Sequence, residues 1–198
     1  MFTGIIEATG IVKEIIQTGN NRTFWIKSFL SSKFKTDQSI AHNGVCLTVE
    51  ETKQDLHRVT AVKETLSKTN LKNWETGTVI NIERSLLPSS RLDGHFVQGH
   101  VDARGICEKI KDRKGSWEFS FSFPKKFIPL IIEKGSICIN GISLTAFDVK
   151  KNTFKVAIIP YTFEHTNLKN VKKGDAVNME FDMIGKYIQR RSLTNNNG

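Results

Sequence analysis

Two histidines in the stretch LDGHFVQGHVD raise the question of metal or acid–base chemistry. His95 and His100 lie five residues apart between glycines. A histidine exchanges protons near neutral pH, and a carboxylate such as Asp182 can orient it or a cationic intermediate. A five-residue step in a strand directs the two imidazoles to opposite faces, and no third ligand is evident. We therefore predict no metal site, and we interpret His95 as structural.

A nucleophile-capable side chain precedes a threonine by two residues at two places. These pairs are Cys46 with Thr48 and Ser143 with Thr145. Because alternate residues of a strand share a face, each pair presents two polar groups together. If the faces point into a barrel, the pairs are filler with an internal hydrogen bond. If they point to a mouth, they are ligand contacts, and the spacing leaves both interpretations open.

The elements that must position these residues come from an internal duplication. Segment 43–83 aligns with segment 140–180 without a gap, and fifteen of the forty-one aligned positions are identical. Gly4 aligns with Gly99 in the same way. We predict one small domain over residues 1–94 and a second over residues 95–182.

Each copy is rich in short β-branched and aromatic segments. In WEFSFSF, the aromatic residues from Trp117 to Phe123 alternate and so share one face. Asn-Gly steps at Asn43 and Asn140 predict tight turns between paired strands. The spacing of the segments predicts a small closed β-barrel or sandwich in each copy.

Helical signals are few. Segments 65–71 and 162–168 each predict a short helical turn opened by a threonine cap. Residues 183–198 are predicted to contain a C-terminal helix, MIGKYIQRRSL, followed by a disordered tail, TNNNG. The helix is too short to be stable alone, so we expect it to dock on this chain or on a neighbour.

The two copies differ at polar positions. His100 corresponds to Ile5, and Asp182 corresponds to Ser85, so the second copy has a titratable pair that the first lacks. A lone strand histidine is more often a hydrogen-bonded structural group than a catalytic one. Divided labour between the copies is the alternative interpretation.

Charge and cysteine content limit the class of protein. The net charge of +9 invites a nucleic-acid interpretation, but no basic stripe with interleaved aromatic residues accompanies it. Three sparse cysteines favour a reducing cytosol, with Cys107 and Cys138 as small buried hydrophobic residues. Neither a signal peptide nor a transmembrane helix is predicted, so we expect a cytoplasmic protein without nucleic-acid or membrane partners.

Seven motifs in register resemble riboflavin synthase of the α-chain type. They are MFTGIIEATG, AHNGVCLTVE, KETLSKTNL, LDGHFVQGHVD, GSICINGISLT, IPYTFEHTNL and VNMEFDMIGKYIQR, and the match runs from Met1 to about Arg191. The resemblance implies an all-β fold of two tandem six-stranded Greek-key barrels with a C-terminal helix. That helix holds three chains in a homotrimer, and each active site lies between the N-terminal barrel of one subunit and the C-terminal barrel of its neighbour.

The resemblance also implies a reaction without a metal or redox cofactor. Two molecules of 6,7-dimethyl-8-ribityllumazine dismutate by transfer of a four-carbon unit, giving riboflavin and 5-amino-6-(ribitylamino)uracil. Association with lumazine synthase is a further partner that we consider. The alternative within the fold is a fluorescent antenna protein that binds one chromophore and catalyses nothing. Such proteins have a degraded second pocket, whereas both sets of motifs are present here.

Ligand contacts carry over from the family onto positions in both copies. The first pocket is expected to be lined by Phe2, Gly4, Ile5, Ile6, Ser39, Cys46, Leu47, Thr48, Thr60, Ala61 and Val62. The second is expected to be lined by Gly99, His100, Val101, Ser143, Leu144, Thr145, Ala157, Ile158, Ile159, Pro160, Tyr161 and Thr162. Lys134 matches a lysine that reaches a site across the subunit boundary.

We assign catalytic roles to four residues as hypotheses. His100 relays the proton lost from the acidic 7-methyl group of the donor lumazine. Ser143 and Asp182 stabilise adducts and orient water or the partner ring. Cys46 is a polar contact or a nucleophile toward the ring, and we favour the contact.

Overall fold

The first copy folds into a closed barrel of six antiparallel strands. The computed structural model of the chain describes residues 1–195. The strands are β1 (Ala8–Thr18), β2 (Asn21–Lys27), β3 (Ser39–His42), β4 (Val45–Lys53), β5 (Leu56–Ala61) and β6 (Val79–Arg84). They close in the order β1-β2-β5-β4-β3-β6. This strand order closes the barrel, although β4 and β5 pair over only part of their length.

The second copy repeats this barrel with one strand divided. Its strands are β7 (Ala103–Asp112), β8 (Trp117–Ser122), β9 (Ser136–Ile139), β10 (Ile142–Thr145), β11 (Phe147–Lys150), β12 (Thr153–Ile158) and β13 (Ala176–Phe181). Their order is β10-β9-β13-β7-β8-β12-β11. Strands β10 and β11 together correspond to β4 of the first copy, because the strand is interrupted at Ala146, which is buried. The predicted two-barrel fold is confirmed, but the second copy has seven strands rather than six, and β10 and β11 lie at the two ends of its strand order.

Each barrel has its own apolar core. In β8, Phe119 and Phe121 are fully buried, and Phe123 follows them inward. Leu47 and Val59 occupy the first core, where β4 and β5 alternate between core-facing and outward side chains. The period-two pattern read from the sequence therefore gives the correct inward faces.

Two short helices begin earlier than the sequence pattern predicts. Helix α1 (Lys63–Lys68) and helix α2 (Pro160–His165) each start without a side-chain cap. The predicted cap at Thr65 is wrong, because the Thr65 carbonyl instead accepts hydrogen bonds from Thr69. Thr69 and its counterpart Thr166 cap the 3-10 turns that follow, Asn70–Asn73 and Asn167–Asn170.

The predicted C-terminal helix is confirmed as α3 (Met183–Asn195). Its Lys186 Nζ lies 2.6 Å from Asp102 Oδ2, which fastens the helix to the second barrel. Two residues of the predicted disordered tail, 194 and 195, belong to this helix; residues 196–198 lie outside the described residues. Among residues 1–195, no helix is long and apolar enough to cross a membrane.

Six buried asparagines join the two copies in a nearly symmetric network. They are Asn43, Asn70, Asn81, Asn140, Asn167 and Asn178. The Asn81 amide nitrogen Nδ2 donates to the Asn140 carbonyl at 2.9 Å, and Asn178 Nδ2 donates to the Asn43 carbonyl at 2.9 Å. An unpaired buried amide costs about 1–3 kcal/mol, so these reciprocal bonds fix how the copies meet.

The turns at Asn43 and Asn140 bring the copies into backbone contact. Asn43 and Gly44 both have positive φ, as do Asn140 and Gly141. A Cβ on Gly44 would lie 2.7 Å from the Gly141 backbone nitrogen, which leaves no room for a side chain. The predicted turns are confirmed, and they also form the contact around which the two barrels are related by an approximate two-fold rotation.

A buried histidine pair distinguishes the first core from the second. His57 Nε2 lies 2.8 Å from His42 Nε2, and His57 Nδ1 lies 2.7 Å from Ser31 Oγ. His42 Nδ1 is 3.0 Å from the Ile40 carbonyl, which can only accept. His42 Nε2 must then accept from His57, and His57 Nδ1 must accept from Ser31. At the aligned positions the second barrel has Ile139 and Phe154 instead.

Both imidazoles are therefore held neutral. Burial, followed by repulsion from His57, holds the pKa of His42 well below its usual value. Burial also lowers the pKa of His57, to about 4. The unfolded chain binds protons at an ordinary histidine pKa of about 6.5, so between about pH 6.5 and about pH 4 it binds more protons than the folded chain. Stability must fall as the pH is lowered through that window.

We expect the variant His42→Ile/His57→Phe/Ser31→Ala to remove this acid sensitivity. Between about pH 7.5 and about pH 5, the wild-type chain should lose roughly 4 kcal/mol of unfolding free energy more than the variant, about 2 kcal/mol for each histidine. Urea unfolding at the two pH values measures the difference, and His165→Gln, an exposed histidine, is the control. An equal acid-linked loss in wild type and triple variant would show that the pair is not responsible.

Candidate active site

The polar pairs on β4 and β10 point out of the barrels. Leu47 is in the first core, so its neighbours Cys46 and Thr48 face outward, half-buried and exposed respectively. Ser143 and Thr145 occupy the same positions on β10. The alternative in which these side chains fill a barrel interior is therefore excluded.

The wall of the first barrel is open beside Cys46 and Thr48. Strands β4 and β5 are paired from Lys53, opposite Leu56, to Val49, opposite Val59, and the pairing then stops. β5 continues beside β2 through Thr60 and Ala61. The strands thus diverge and leave an opening that we call the first slot, bordered by Cys46, Leu47, Thr48, Thr60, Ala61 and Val62.

The second barrel has the equivalent opening. Strand β10 pairs with β9, while β12 pairs with β11 only as far as Lys155. We call this opening the second slot; it is bordered by Ser143, Leu144, Thr145, Ala157, Ile158 and Ile159. Ala61 and Ile158 have core-facing side chains, so only their main chains can contact a ligand.

Each slot is closed by a segment from the other copy. The Cys46 backbone N–H donates to the Gly99 carbonyl at 2.9 Å, and the Ser143 N–H donates to the Gly4 carbonyl at 2.8 Å. Val101 packs against the first core, and Ile6 packs against the second. We call residues 98–101 and 3–6 the crossing segments.

The predicted division of contacts between the pockets is therefore wrong for these segments. Gly4, Ile5 and Ile6 belong to the second slot, and Gly99, His100 and Val101 belong to the first. An alignment of the copies gives the same motif order whether a segment packs on its own barrel or crosses over. Phe2 is buried against Val97, with which it forms an antiparallel bridge, so it joins the two crossing segments rather than lining a slot.

Two buried glutamates hold the crossing segments. Glu180 accepts main-chain N–H bonds from Gln98, Gly99 and His100 at 2.6, 2.9 and 3.0 Å. The aligned Glu83 accepts the N–H of Thr3 at 2.7 Å and that of Gly4 at 3.0 Å.

Burial raises the pKa of both carboxyl groups. The pKa of Glu180 is raised to about 7, although its hydrogen bonds and Lys186 oppose the shift. Burial also raises the pKa of Glu83, with the Thr3 and Gly4 bonds opposing it.

The second slot contains a serine–histidine contact. His95 Nδ1 lies 2.7 Å from Ser143 Oγ, and His95 is buried. Burial lowers the pKa of His95, an effect that the charge of Asp182 opposes. The neutral imidazole is thus favoured, and it can exchange a hydrogen bond with the Ser143 hydroxyl. The interpretation of His95 as structural stays a prediction, but its argument from strand faces fails, because residues 93–102 form irregular chain with a bridge at Val97.

The four predicted catalytic residues are divided between the slots. Exposed His100 follows Gly99, whose carbonyl holds Cys46, so both lie at the first slot. Ser143 lies at the second slot with Asp182 near His95. The expected titratable pair of His100 and Asp182 is not brought together. Asp182 Oδ1 also accepts from the Ile184 N–H at 3.0 Å, as the first turn of α3 begins.

The remaining predicted contacts lie around the slots. Ser39 is paired with Thr48 across β3 and β4. Pro160, Tyr161 and Thr162 form the first turn of α2, directly after the second slot, and Tyr161 stacks on His165. Lys134 is exposed, and its ammonium lies 5.6 Å from the centre of the Phe147 ring.

The cysteines differ in the way the sequence predicts. Cys107 and Cys138 are buried, and burial raises the pKa of each, to about 11 for Cys107. Cys46 is half-buried and thus the accessible thiol of the three. Within residues 1–195, no group of three or more His, Cys, Asp or Glu side chains could hold a metal ion.

Sequence reasoning missed the contact of His95 with Ser143 and the roles of Glu83 and Glu180. The glutamates carried a usable signal: VINIE and AVNME each end in an acidic residue at the same aligned position of a buried strand. A charge retained in both copies of such a strand needs buried partners. His95 carried no such signal, since its contact with Ser143 depends on the irregular path of the chain.

Known proteins share both the sequence and the fold. The lumazine binding domain matches twice, over residues 3–85 and 98–182. The chain is 38% identical over 194 residues to riboflavin synthase of Actinobacillus pleuropneumoniae, which covers 96% of this chain and 89% of that protein. It is 37% identical over 196 residues to riboflavin synthase of Schizosaccharomyces pombe, covering 96% and 93%.

The solved structures that resemble the chain carry the same fold at lower identity. LumP complexed with 6,7-dimethyl-8-(1'-D-ribityl) lumazine has a TM-score of 0.84 at 21% identity, covering 91% of this chain and 99% of that chain. LumP complexed with riboflavin has a TM-score of 0.86 at 22% identity, with the same coverage.

Alanine at either crossing glycine should be more damaging than alanine at a glycine in open space. Gly4, Gly77 and Gly99 have φ values of +79°, +94° and +81°, so all three substitutions incur about 1–2 kcal/mol of backbone strain. A Cβ on Gly4 or Gly99 would in addition lie 2.6 Å from the Cβ of Ser143 or Cys46, whereas nothing lies within 4 Å at Gly77. We expect Gly4→Ala and Gly99→Ala to lose about 1–3 kcal/mol more than Gly77→Ala in urea unfolding. Equal losses in the three variants would contradict the crossing.

Proposed function

The chain belongs to the riboflavin synthase family, and we propose that it dismutates 6,7-dimethyl-8-ribityllumazine into riboflavin and 5-amino-6-(ribitylamino)uracil. Two substrate molecules of one kind react, and one gives a four-carbon unit to the other. The observation that carries the proposal is the pair of related slots, each with its own polar groups. Full-length identity of 34–38% to riboflavin synthases supports the same reaction.

Holding two lumazines in register is the main task of such an enzyme. Pre-organisation converts a bimolecular encounter into a reaction within one complex. Thr48 and Thr145 offer equivalent polar contacts, while Cys46 differs from Ser143 and His100 differs from Ile5. Similar slots bind similar molecules, and the different side chains give the donor and the acceptor unequal environments.

Proton transfer is assigned to groups at both slots. His100 is the proposed relay for the proton lost from the 7-methyl group, since its exposed imidazole lies at the first slot. At the second slot, the neutral His95 imidazole and the Ser143 hydroxyl can pass a proton between them across 2.7 Å. Asp182 stabilises any positive charge that develops on His95. Cys46 remains a polar contact in this proposal.

A homotrimer supplies the missing half of each active site. Helix α3 exposes Ile184, Tyr187 and Ile188, and a cavity of about 460 Å³ lies between this helix and residues 129–136. An exposed apolar face of this kind is typical of a subunit interface. We propose that this face joins three chains, and that the first slot of one subunit meets the second slot of its neighbour. Lys134 then reaches the neighbouring site. Cytoplasmic localisation and association with lumazine synthase stay predictions.

The purified chain should form riboflavin from 6,7-dimethyl-8-ribityllumazine alone. The expected result is one riboflavin per two lumazines consumed, followed by absorbance and chromatography, without added metal or nucleotide and with no loss in EDTA. Tight binding of lumazine without product would instead identify a non-catalytic antenna protein, the second candidate that the LumP fold allows.

Mixing two inactive variants tests whether the active site is shared between subunits. His100→Gln affects the first slot, and Ser143→Ala affects the second; each should lower turnover much more than lumazine binding. In a head-to-tail trimer reassembled from equal amounts, about a quarter of the interfaces unite two intact slots, so activity should return to about a quarter of wild type. Each variant reassembled by itself is the control. No recovery, with mixed trimers demonstrated by mass spectrometry, would place both reacting slots within one chain.

A further inference from the structure

The buried carboxylate of Glu180 is held by main-chain N–H groups. Only 2% of the residue is exposed, and its three hydrogen bonds come from consecutive main-chain N–H groups, those of Gln98, Gly99 and His100. Burying a charge is costly unless strong hydrogen bonds compensate. Three aligned peptide donors form such an anion site, and the anion in turn fixes the path of the segment.

The residue Gly99 connects Glu180 to the first slot. Gly99 donates its N–H to Glu180, and its carbonyl accepts the Cys46 N–H at 2.9 Å. Glu180 lies on β13 of the second barrel, whereas Cys46 lies on β4 of the first. The carboxylate therefore sets the shape of a slot in the opposite barrel without touching it.

Glu83 makes the corresponding contacts differently. It accepts two main-chain N–H groups, from Thr3 and Gly4, and its third bond comes from the Thr3 hydroxyl at 2.7 Å. The Ile5 N–H then donates to that hydroxyl oxygen, at 3.2 Å. The hydroxyl thus stands between the carboxylate and the third amide, whereas His100 is held by Glu180 directly.

We propose that Glu180 is a positioning residue for the first slot, which holds the Gly99 carbonyl and the His100 main chain in place through its ionised carboxylate. Glu83 has the same role for the second slot, through Gly4. The choice of ligand in this inference rests on the proposed function. The structural measurements that test it do not depend on that function.

The charged groups around Glu180 determine how its ionisation responds to pH. Lys186 on α3 favours the ionised form of Glu180, and Asp102, two residues after His100, opposes it. The thiol of Cys138, on strand β9, lies beside the Glu180 carboxyl group. Burial raises the pKa of Glu180 to about 7. Protonation replaces an acceptor oxygen with a donor that faces amide N–H groups, so the segment should loosen as the pH falls through about 7.

Glu180→Gln and Glu83→Gln are the matched pair of variants. Each replaces one carboxylate oxygen with an NH₂ group that cannot accept from the peptide. Thermal unfolding first confirms that both variants fold.

The structural readouts are alkylation of Cys46 by iodoacetamide and amide exchange in residues 98–100. In Glu180→Gln, we expect both rates to rise about tenfold, the effect of losing one charge-assisted hydrogen bond. Glu83→Gln should leave both rates unchanged and raise amide exchange in residues 3–5. Equal effects of the two variants, or none, would overturn the proposal.

Riboflavin binding is the ligand readout, because the product does not react further. The first slot is measured by itself in a Thr145→Val background, in which riboflavin binding to the second slot is weakened. With Glu180 intact, the affinity of the first slot for riboflavin should weaken as the pH falls through about 7. The profile is compared with that of Glu180→Gln in the same background, which should lack the Glu180 step. Identical profiles would contradict the proposal.

Two results keep the inference separate from the proposed function. If wild type neither binds riboflavin nor consumes lumazine, the proposed function fails, while the cysteine and amide measurements still decide the role of Glu180. If Glu180→Gln does not fold, Glu180→Asp is used, because it keeps the charge but withdraws it from the peptide. Faster Cys46 alkylation in Glu180→Asp supports the proposal, and an unchanged rate overturns it.

Discussion

The exchange of crossing segments between the copies is the constraint on which the rest of the structure depends. Neither slot is complete within its own barrel, since Gly4 closes one and Gly99 closes the other. The exchange requires a fixed relation between the barrels, which the asparagine network and the contact of Gly44 with Gly141 provide. Buried amides without partners would be costly, so a small rotation between the barrels loses several hydrogen bonds at once. The two β-barrels are thereby held in one arrangement.

Within this symmetric frame, the chemically capable groups are distributed asymmetrically. Cys46 and His100 lie at the first slot, while Ser143, His95 and Asp182 lie at or near the second. The hydrogen bonds that define the frame are made mostly by main chain and by residues common to both copies. The outward side chains are consequently free to differ. A reaction between two identical molecules in unequal roles requires this combination of equal shape and unequal chemistry.

The repeat, the strand faces and the C-terminal helix could be read from the sequence because each depends on local patterns. Leu47 and Phe121 follow period-two alternation, and Asn43-Gly44 specifies its turn through its own backbone preference. The crossing could not be read, because Gly4 and Gly99 have the same neighbours in sequence whichever barrel they close. The contact of His95 with Ser143 was missed for a related reason: the two residues are distant in the chain, and the irregular path from 93 to 102 has no periodicity. The interruption at Ala146, which separates β10 from β11, likewise has no signal in the sequence pattern.

The approximate two-fold relation also bears on how such a protein can change over evolutionary time. Two separate copies of one unit, exchanging their leading segments in the same way, would form a homodimer with two identical pockets. In that dimer every substitution appears twice, so a histidine gained in one pocket is imposed on the other. Joining the copies through residues 85–94 removes this restriction, and positions such as 5 and 100 can then diverge independently. The peptide link is thus the feature that permits a single ancestral pocket to become two specialised ones.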